Sequence, residues 1–469
     1  MKRALHNHLT TRFAAAIRPN QQQHYIALRS FHAPPAMPLN ILIVGAGIAG
    51  PAFAILMQRA VPQTKITVVE RHPSLRVAGQ QIDLKFQGIE IVQRMGLMET
   101  IKSHCVEETG VETLDAQGKP MALFGVNPAG QQRPALTSEH EIMRGDLVRV
   151  LYEASLEQRR ALKEQQDEVG DVVYEFGKTI PELVESDEGV DVTFTDESRE
   201  RYDLVVGADG QWSRTRRLAF GQEASDAAFH SLGIHGAYFS VPRIEGEAGN
   251  AKVFSASKRR MLFSRTSNRP VTQFLLYTMS DADKLKNSYR QSIEDQREAF
   301  AEAFRGIGWQ DQRIVNGLQT AEDFYAHELG QIKLKQLCTG RVALLGDAGY
   351  CPTPFTGLGV TGCLTGAYVL AGELARHGND VNSALKAFDI AVRPGVEEIQ
   401  TLNIKLGLMF PSSRLGVWML RIAAWAMSKL DQLTWRPRSE EQQVEKWELP
   451  EYRELKLQDE SILNSQCSV

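Results

Sequence analysis

The chain reads as an α/β protein in which a parallel sheet is interrupted by a second, mostly antiparallel one. Three observations predict this. An apolar strand runs into a glycine-rich turn and a helix near residue 45. A run of alternating strands fills Ser231 to Ser280. Buried-strand character then returns at Arg341 to Leu345.

Organised structure starts at Leu39. Leu39-Asn40-Ile41-Leu42-Ile43-Val44 is short, apolar and β-branched, and it ends in glycine. That is the pattern of a strand buried on both faces. Pro51 to Ala60 reads as a helix, with Pro51 tolerated in the first turn, where a missing N–H costs nothing. Lys65 to Val69 is a second strand, ending at Glu70. A βαβ unit of about 30 residues requires a right-handed crossover and a parallel sheet.

Gln87 to Met95 and Glu141 to Leu156 read as helices, the second with Leu147, Val150 and Leu151 on one face. Val172 to Phe176, Val190 to Thr195 and Tyr202 to Val206 read as strands. Alternation then marks Ala237 to Val241, Lys252 to Ser255, Met261 to Ser264 and Thr272 to Tyr277 as a separate antiparallel sheet. Helices are expected at Ile293 to Phe304 and Val360 to Leu374. Leu415 to Leu430 carries Trp418, Ile422, Trp425 and Lys429 at helical spacing, with Arg421 inside it. A membrane span needs about 20 apolar residues, so this segment is expected to be a packed amphipathic helix. The polar stretch after Trp435 gives no signal.

Composition removes several classes. With 469 residues, 43% hydrophobic and 23% charged, the chain is a globular protein of more than one domain. A net charge of -4 provides no basic face for nucleic acid. Cys105, Cys338, Cys351, Cys363 and Cys467 form no C-x-x-C pair. They are read as reduced thiols, with neither a metal site nor a disulfide framework. No acid occurs from Met1 to Val69, where Lys2, Arg3, Arg12, Arg18 and Arg29 lie. Residues 1–38 therefore read as a basic extension: a mitochondrial transit peptide processed near Arg29-Ser30-Phe31, a disordered lead-in, or a start placed upstream of Met37. The cytoplasm is the expected location, with the mitochondrion as the alternative.

The chemistry begins at Gly45-Ala46-Gly47-Ile48-Ala49-Gly50, a G-x-G-x-x-G turn between strand and helix. The first glycine allows the turn, the second lets a pyrophosphate touch the backbone, and the third lets the helix pack on the strand. N–H groups at the helix start bind the anion. Glu70, at the end of the second strand, is placed to accept from ribose hydroxyls. This motif alone leaves NAD and FAD open.

Two later segments narrow the choice. Tyr202 to Arg216 and Gly340 to Tyr350 each place a glycine-aspartate turn after an apolar strand, at Asp209 and Asp347. Either alone could be an ordinary turn. Together with Gly45, in this order, they resemble the class A flavoprotein monooxygenases, the para-hydroxybenzoate hydroxylase-like family, over about Leu39 to Glu373. The resemblance implies FAD as cofactor, NAD(P)H as co-substrate, and a Rossmann-like FAD-binding domain made discontinuous by an inserted substrate sheet. Residues 39–220 would be its first part, with some substrate-domain segments. Residues 221–338 would be the substrate domain, 339–400 the second FAD-binding part, and 401–469 a helical segment and polar tail.

The same resemblance assigns roles. Gly45, Gly47, Gly50 and Glu70 match the adenosine-diphosphate grip. Arg144 matches an arginine at a helix start that contacts the cofactor. Asp209 matches a motif serving FAD and NAD(P)H, with Ser213 and Arg216 behind it. Asp347 matches the partner of the ribityl chain. Pro354, Gly357 and Gly359 match a P-x-x-G-x-G turn whose following helix aims its N-terminus at the flavin pyrimidine edge, favouring the anionic reduced flavin. Arg76 to Asp83 looks like a loop of the tetracycline-inactivating monooxygenases, in which Arg76 would bind NADPH and Asp83 would lie near the flavin. A solvated loop is the other reading of Arg76. Tyr350 stands where many members carry histidine, and Trp212 where smaller residues are common. Cys351 and Cys363 receive no role.

The implied activity is insertion of one oxygen atom from O2, through a flavin C4a-hydroperoxide, into a small or medium aromatic or polyketide-like substrate. A flavin reductase, a halogenase or a non-catalytic flavin-binding regulatory module would share the fold. None of the six tryptophans sits in the W-x-W-x-I-P stretch usual in halogenases. The middle region holds no Ser/His/Asp cluster. Tyr238, His235 and Arg265, on its strands, are the candidates for orienting a phenolate, weighed against core or surface roles.

Overall fold

Strands with no polar face must be covered on both sides, and here a six-stranded sheet is. Its order is Cys338–Thr339, Val342–Leu344, Leu204–Gly207, Asn40–Val44, Lys65–Glu70, Val172–Phe176. All neighbours are parallel except the edge pair Cys338–Thr339 and Val342–Leu344. Ile41 and Ile43 join a core with Phe53, Leu147 and Leu364 from the helices Ala49–Ala60, Arg144–Gln165 and Gly359–His377. Leu42 and Val44 point the other way, to Val190, Phe194 and Tyr202. A small antiparallel sheet of Glu182–Ser186, Gly189–Thr193 and Arg199–Tyr202 covers that face. This computed structural model describes residues 38–125, 140–166, 168–247, 249–378, 380–402, 405–433 and 447–455. The expected targeting segment, with Arg29-Ser30-Phe31 and Met37, and the end of the tail lie outside them.

The second sheet has seven strands in the order Tyr325–Ile332, Phe229–Pro242, Val271–Thr278, Arg260–Arg265, Asn250–Ala256, Gly110–Leu114, Pro120–Gly125. Every pair is antiparallel except Asn250–Ala256 with Gly110–Leu114. Side-chain alternation gives it two unlike faces. Ala237 and Phe239 pack with Phe300, Phe304 and Leu318 of the helices Ile293–Phe304 and Asp311–Thr320. Tyr238, Met261, Leu275, Tyr277 and Leu329 point the other way, where Phe355 and Phe410 join them.

Three local differences have physical causes. Glu141–Met143 is a strand, and the helix starts only at Arg144. Gln81–Asp83 pairs antiparallel with this strand, and Ile142 is fully buried in the process, so tertiary pairing overrides the helical pattern. The C-terminal helix forms, as Arg414–Leu433, but Trp418 (59% exposed), Ile422 (40%) and Trp425 (45%) face outward. It is therefore not packed through its apolar stripe. In the tail, Trp447 lies against Gly395 and Tyr452 against Gly372, and the Tyr452 hydroxyl donates to Glu373 at 2.7 Å. Two aromatic anchors without periodicity gave no sequence signal.

Candidate active site

The strands Asn40–Val44, Leu204–Gly207 and Val342–Leu344 are neighbours, with Val44 level with Gly207 and Gly207 level with Leu344. The three turns at Gly45, Asp209 and Asp347 therefore meet at one sheet edge. In an open α/β sheet, the carboxyl ends of the strands are where ligands bind.

The first turn is fixed by close approach. Gly45 has φ +114°, and a Cβ there would lie 2.5 Å from the Ala208 carbonyl oxygen. A Cβ on Gly50 would lie 2.1 Å from the Gly45 carbonyl oxygen. Gly47 opens instead toward the Arg144 guanidinium, 3.4 Å from a Cβ in that place. The helix Ala49–Ala60 has no side-chain cap and no acid in its first turn, which suits an anion at its positive end. Glu70 accepts the Ala46 and His72 N–H groups, each at 3.0 Å. It holds the turn's shape, and a carboxylate retains further acceptor sites.

Arginines gather beside this turn. Arg144 reaches the Ala78 carbonyl at 3.4 Å. Arg76 is an exposed loop residue whose guanidinium lies 5.7 Å from the Tyr325 ring centre.

The second and third turns are braced together. Asp209 accepts from Ser213 Oγ at 2.5 Å, from the Arg214 and Thr215 N–H groups at 2.8 and 3.0 Å, and from Thr215 Oγ1 at 3.0 Å. It thereby caps the helix Arg214–Phe220. Arg216, 1% exposed, donates to the Ala348 carbonyl at 2.6 Å, the Gln211 carbonyl at 2.8 Å and Ser225 Oγ at 3.0 Å. Burial pushes the pKa of Asp347 up. Tyr350 lies over the glycine face of Gly359–His377, where a Cβ on Gly366 would strike its hydroxyl, so it is a packing residue. Trp212 is half exposed and lies against Phe229, ring centres 4.9 Å apart.

Asp83 sits beside the Pro354–Gly359 turn. It pairs with Lys85 at 2.9 Å. A Cβ on Gly357 (φ +66°) would lie 3.0 Å from Lys85 Nζ and 3.2 Å from Asp83 Oδ2. Burial raises the Asp83 pKa, but Lys85 and Arg265 outweigh it and hold the carboxyl below its ordinary value. Arg265 donates to Glu141 at 2.7 Å, with Glu108 at 3.8 Å. It is thus tied into a buried charge network.

Across from these turns the second sheet presents rings. Tyr238 stacks on Tyr325 (4.7 Å, 14°) and on His327 (5.4 Å, 17°) and meets Tyr277 edge-on at 5.9 Å. Tyr277 lies 5.4 Å from Phe355 of the Pro354–Thr356 turn. Burial pushes the Tyr238 phenol well above its ordinary range, so it stays protonated, and pushes His327 down to about 4. His235 lies on the opposite face of the same strand. Its Nδ1 is 2.9 Å from the Tyr289 hydroxyl, and burial lowers its pKa. It is a satisfied core histidine.

The fold therefore brings Gly45, Gly47, Gly50, Glu70, Arg76, Arg144, Asp209 and Asp347 to one edge. Asp83 and the Pro354–Gly359 turn stand in front, and Tyr238 and Arg265 share the facing side. His235 is left out. Lys85, Tyr277, Tyr325, His327 and Phe355 were not singled out in the sequence. The alternation Tyr325, His327, Leu329 was the signal that could have found two of them.

These residues fit a flavin dinucleotide: two long helices begin at the site uncapped and free of acid in their first turns, and glycine clears the backbone where the cofactor must approach. Comparison with known proteins agrees. The profile of the FAD binding domain matches residues 39–399. The FAD-dependent monooxygenase asL6 of Sarocladium schorii is 38% identical over 429 residues, covering 90% of this chain and all of that one. The tetracycline destructase Tet(51) superposes with a TM-score of 0.69 at 27% identity, covering 86% of this chain and 100% of its own. Klebsiella pneumoniae HpxO, solved with FAD and uric acid, shares the fold at TM-score 0.61 and 20% identity, over 83% of this chain and 93% of its own.

Proposed function

Because this chain belongs to the FAD binding domain family, among its FAD-dependent monooxygenases, we propose that it takes electrons from NAD(P)H and delivers one atom of O2 to a small or medium fused-ring aromatic or polyketide-like molecule. The observation that carries this reading is the set of three level strand-end turns facing a sheet lined by Tyr238, Tyr277, Tyr325 and His327. The likeness to the tetracycline destructase supports a fused-ring substrate.

The bound flavin supplies electron transfer and oxygen activation. The chain's residues do the rest. The start of the helix Ala49–Ala60 and Arg144 would hold the diphosphate, Glu70 the adenosine ribose and Asp347 the ribityl chain. The Pro354–Gly359 turn and the start of Gly359–His377 would take the pyrimidine edge, where the helix dipole stabilises developing negative charge. Arg76, beside Arg144, offers cationic charge to a nicotinamide dinucleotide phosphate. Asp83 and Lys85 close the front of the site. The ring-lined face excludes water and orients a flat substrate, and the buried, protonated Tyr238 hydroxyl can donate to a substrate oxygen.

Screening fused-ring phenols for stimulated NAD(P)H oxidation under oxygen-18 gas tests this. The expected result is one labelled oxygen per product. Tyr238→Phe keeps its flavin and its stacking but loses about tenfold in kcat/KM, the worth of one buried hydrogen bond. Oxidation without label in any product, or a Tyr238→Phe enzyme equal to wild type, contradicts the respective assignment.

A further inference from the structure

The helix Arg414–Leu433 is fastened by a narrow side. Val417 and Ser428 are buried. Arg421 donates to the Ser255 carbonyl at 2.8 Å, its guanidinium 5.1 Å from the Phe254 ring centre. At 3.6 residues per turn these positions share one face, and Leu415, Trp418, Met419, Ile422 and Trp425 share the opposite one. Among the described residues, eight of the sixteen exposed large hydrophobic side chains fall between Leu408 and Leu430. Such concentration marks an interaction surface, whereas scattered apolar residues need no explanation.

Charge identifies the occupant. Residues 401–433 carry Lys405, Arg414, Arg421 and Lys429 against a single acid, Asp431 near the helix's end, in a chain of net charge -4. The exposed turn Lys258–Arg259 adds two cations at the helix's leading end, donating its N–H groups to the Ser412 and Pro411 carbonyls at 3.0 and 3.1 Å. In a two-fold dimer through this face, the cations of one copy would meet those of the other, with Asp431 as the single acid of the helix to answer them. Tryptophans on an apolar stripe bordered by Lys and Arg instead suit a helix lying in a lipid interface. No helix among the described residues is long and apolar enough to cross a membrane.

We propose that this face docks the protein on an anionic phospholipid surface, with the helix lying in its plane. The adjoining Leu406, Met409 and Phe410 belong to the same apolar cluster as Tyr277 and Phe355. The segment leading into the docked helix therefore packs against the ring-lined face. The docking itself does not depend on the reaction proposed above.

Co-sedimentation of the flavin-loaded protein with vesicles tests it, using phosphatidylcholine alone and phosphatidylcholine mixed with phosphatidylserine. Binding to the mixed vesicles, and weaker binding to the neutral ones, is expected. A Trp418→Ser, Ile422→Ser, Trp425→Ser triple variant and an Arg414→Glu, Lys429→Glu double variant should both retain flavin. Each should lose about tenfold or more in partitioning to the mixed vesicles. No binding, binding indifferent to phosphatidylserine, or binding that both variants retain overturns the proposal. So does a dimer in vesicle-free solution that the triple variant abolishes, which would assign the face to a second copy of the chain.

Discussion

Gly50→Val should yield protein without flavin. A Cβ at position 50 would sit 2.1 Å from the Gly45 carbonyl oxygen, and backbone on both sides leaves no flexible side chain to give way. Gly45 cannot retreat, because its own φ of +114° sets it against Ala208. The helix Ala49–Ala60 would have to lift from the strand, removing the N–H groups and the close approach that a pyrophosphate needs. A loss of FAD affinity of about 100-fold or more is expected, the cost of displacing a buried helix start by a few kcal/mol. Flavin absorbance per polypeptide reads it. Wild-type flavin content in this variant would mean that the turn is not the cofactor's grip.

The second large effect is expected at Arg216→Met. Arg216 links the second and third turns through the Gln211 and Ala348 carbonyls. Methionine matches much of its volume but donates nothing, so two carbonyl acceptors lose their strongest partner. Breaking such a buried, charged hydrogen-bond set costs about 3–5 kcal/mol. Thermal unfolding should drop by several degrees, with partial flavin loss. Arg216→Lys should fall between, since one ammonium cannot span the fork's contacts. An unfolding midpoint equal to wild type in Arg216→Met would contradict this bracing role.

What the sequence revealed and what it hid follow one physical divide. The strand at Asn40–Val44, the glycines after it and the helix Ile293–Phe304 obey local rules: period, propensity and turn chemistry. They were legible from residues a few positions apart. The helix start at Arg144 was displaced from the expected Glu141 because Gln81–Asp83, some sixty residues earlier in the chain, claims Glu141–Met143 as a strand partner. The aromatic face was hidden for the same reason. Tyr238, Tyr325 and Tyr277 become neighbours only through strand register. His235 and Tyr238 were equivalent candidates in the sequence, and alternation about the strand separates them onto opposite faces. Helical spacing fixed the stripe on Arg414–Leu433 but could not say which way it faces. That depended on Arg421 finding Ser255 and Phe254.

The proposed function requires a flavin, held by three converging turns, that accepts electrons from a nicotinamide and passes them to oxygen. Mixing the purified, flavin-loaded protein with NADPH or NADH in the absence of oxygen measures this directly. The bound flavin is expected to bleach with one of the two, faster when a substrate is present, and to regain its colour when oxygen is admitted. A flavin that stays oxidised with both nicotinamides, with and without substrate, would contradict it.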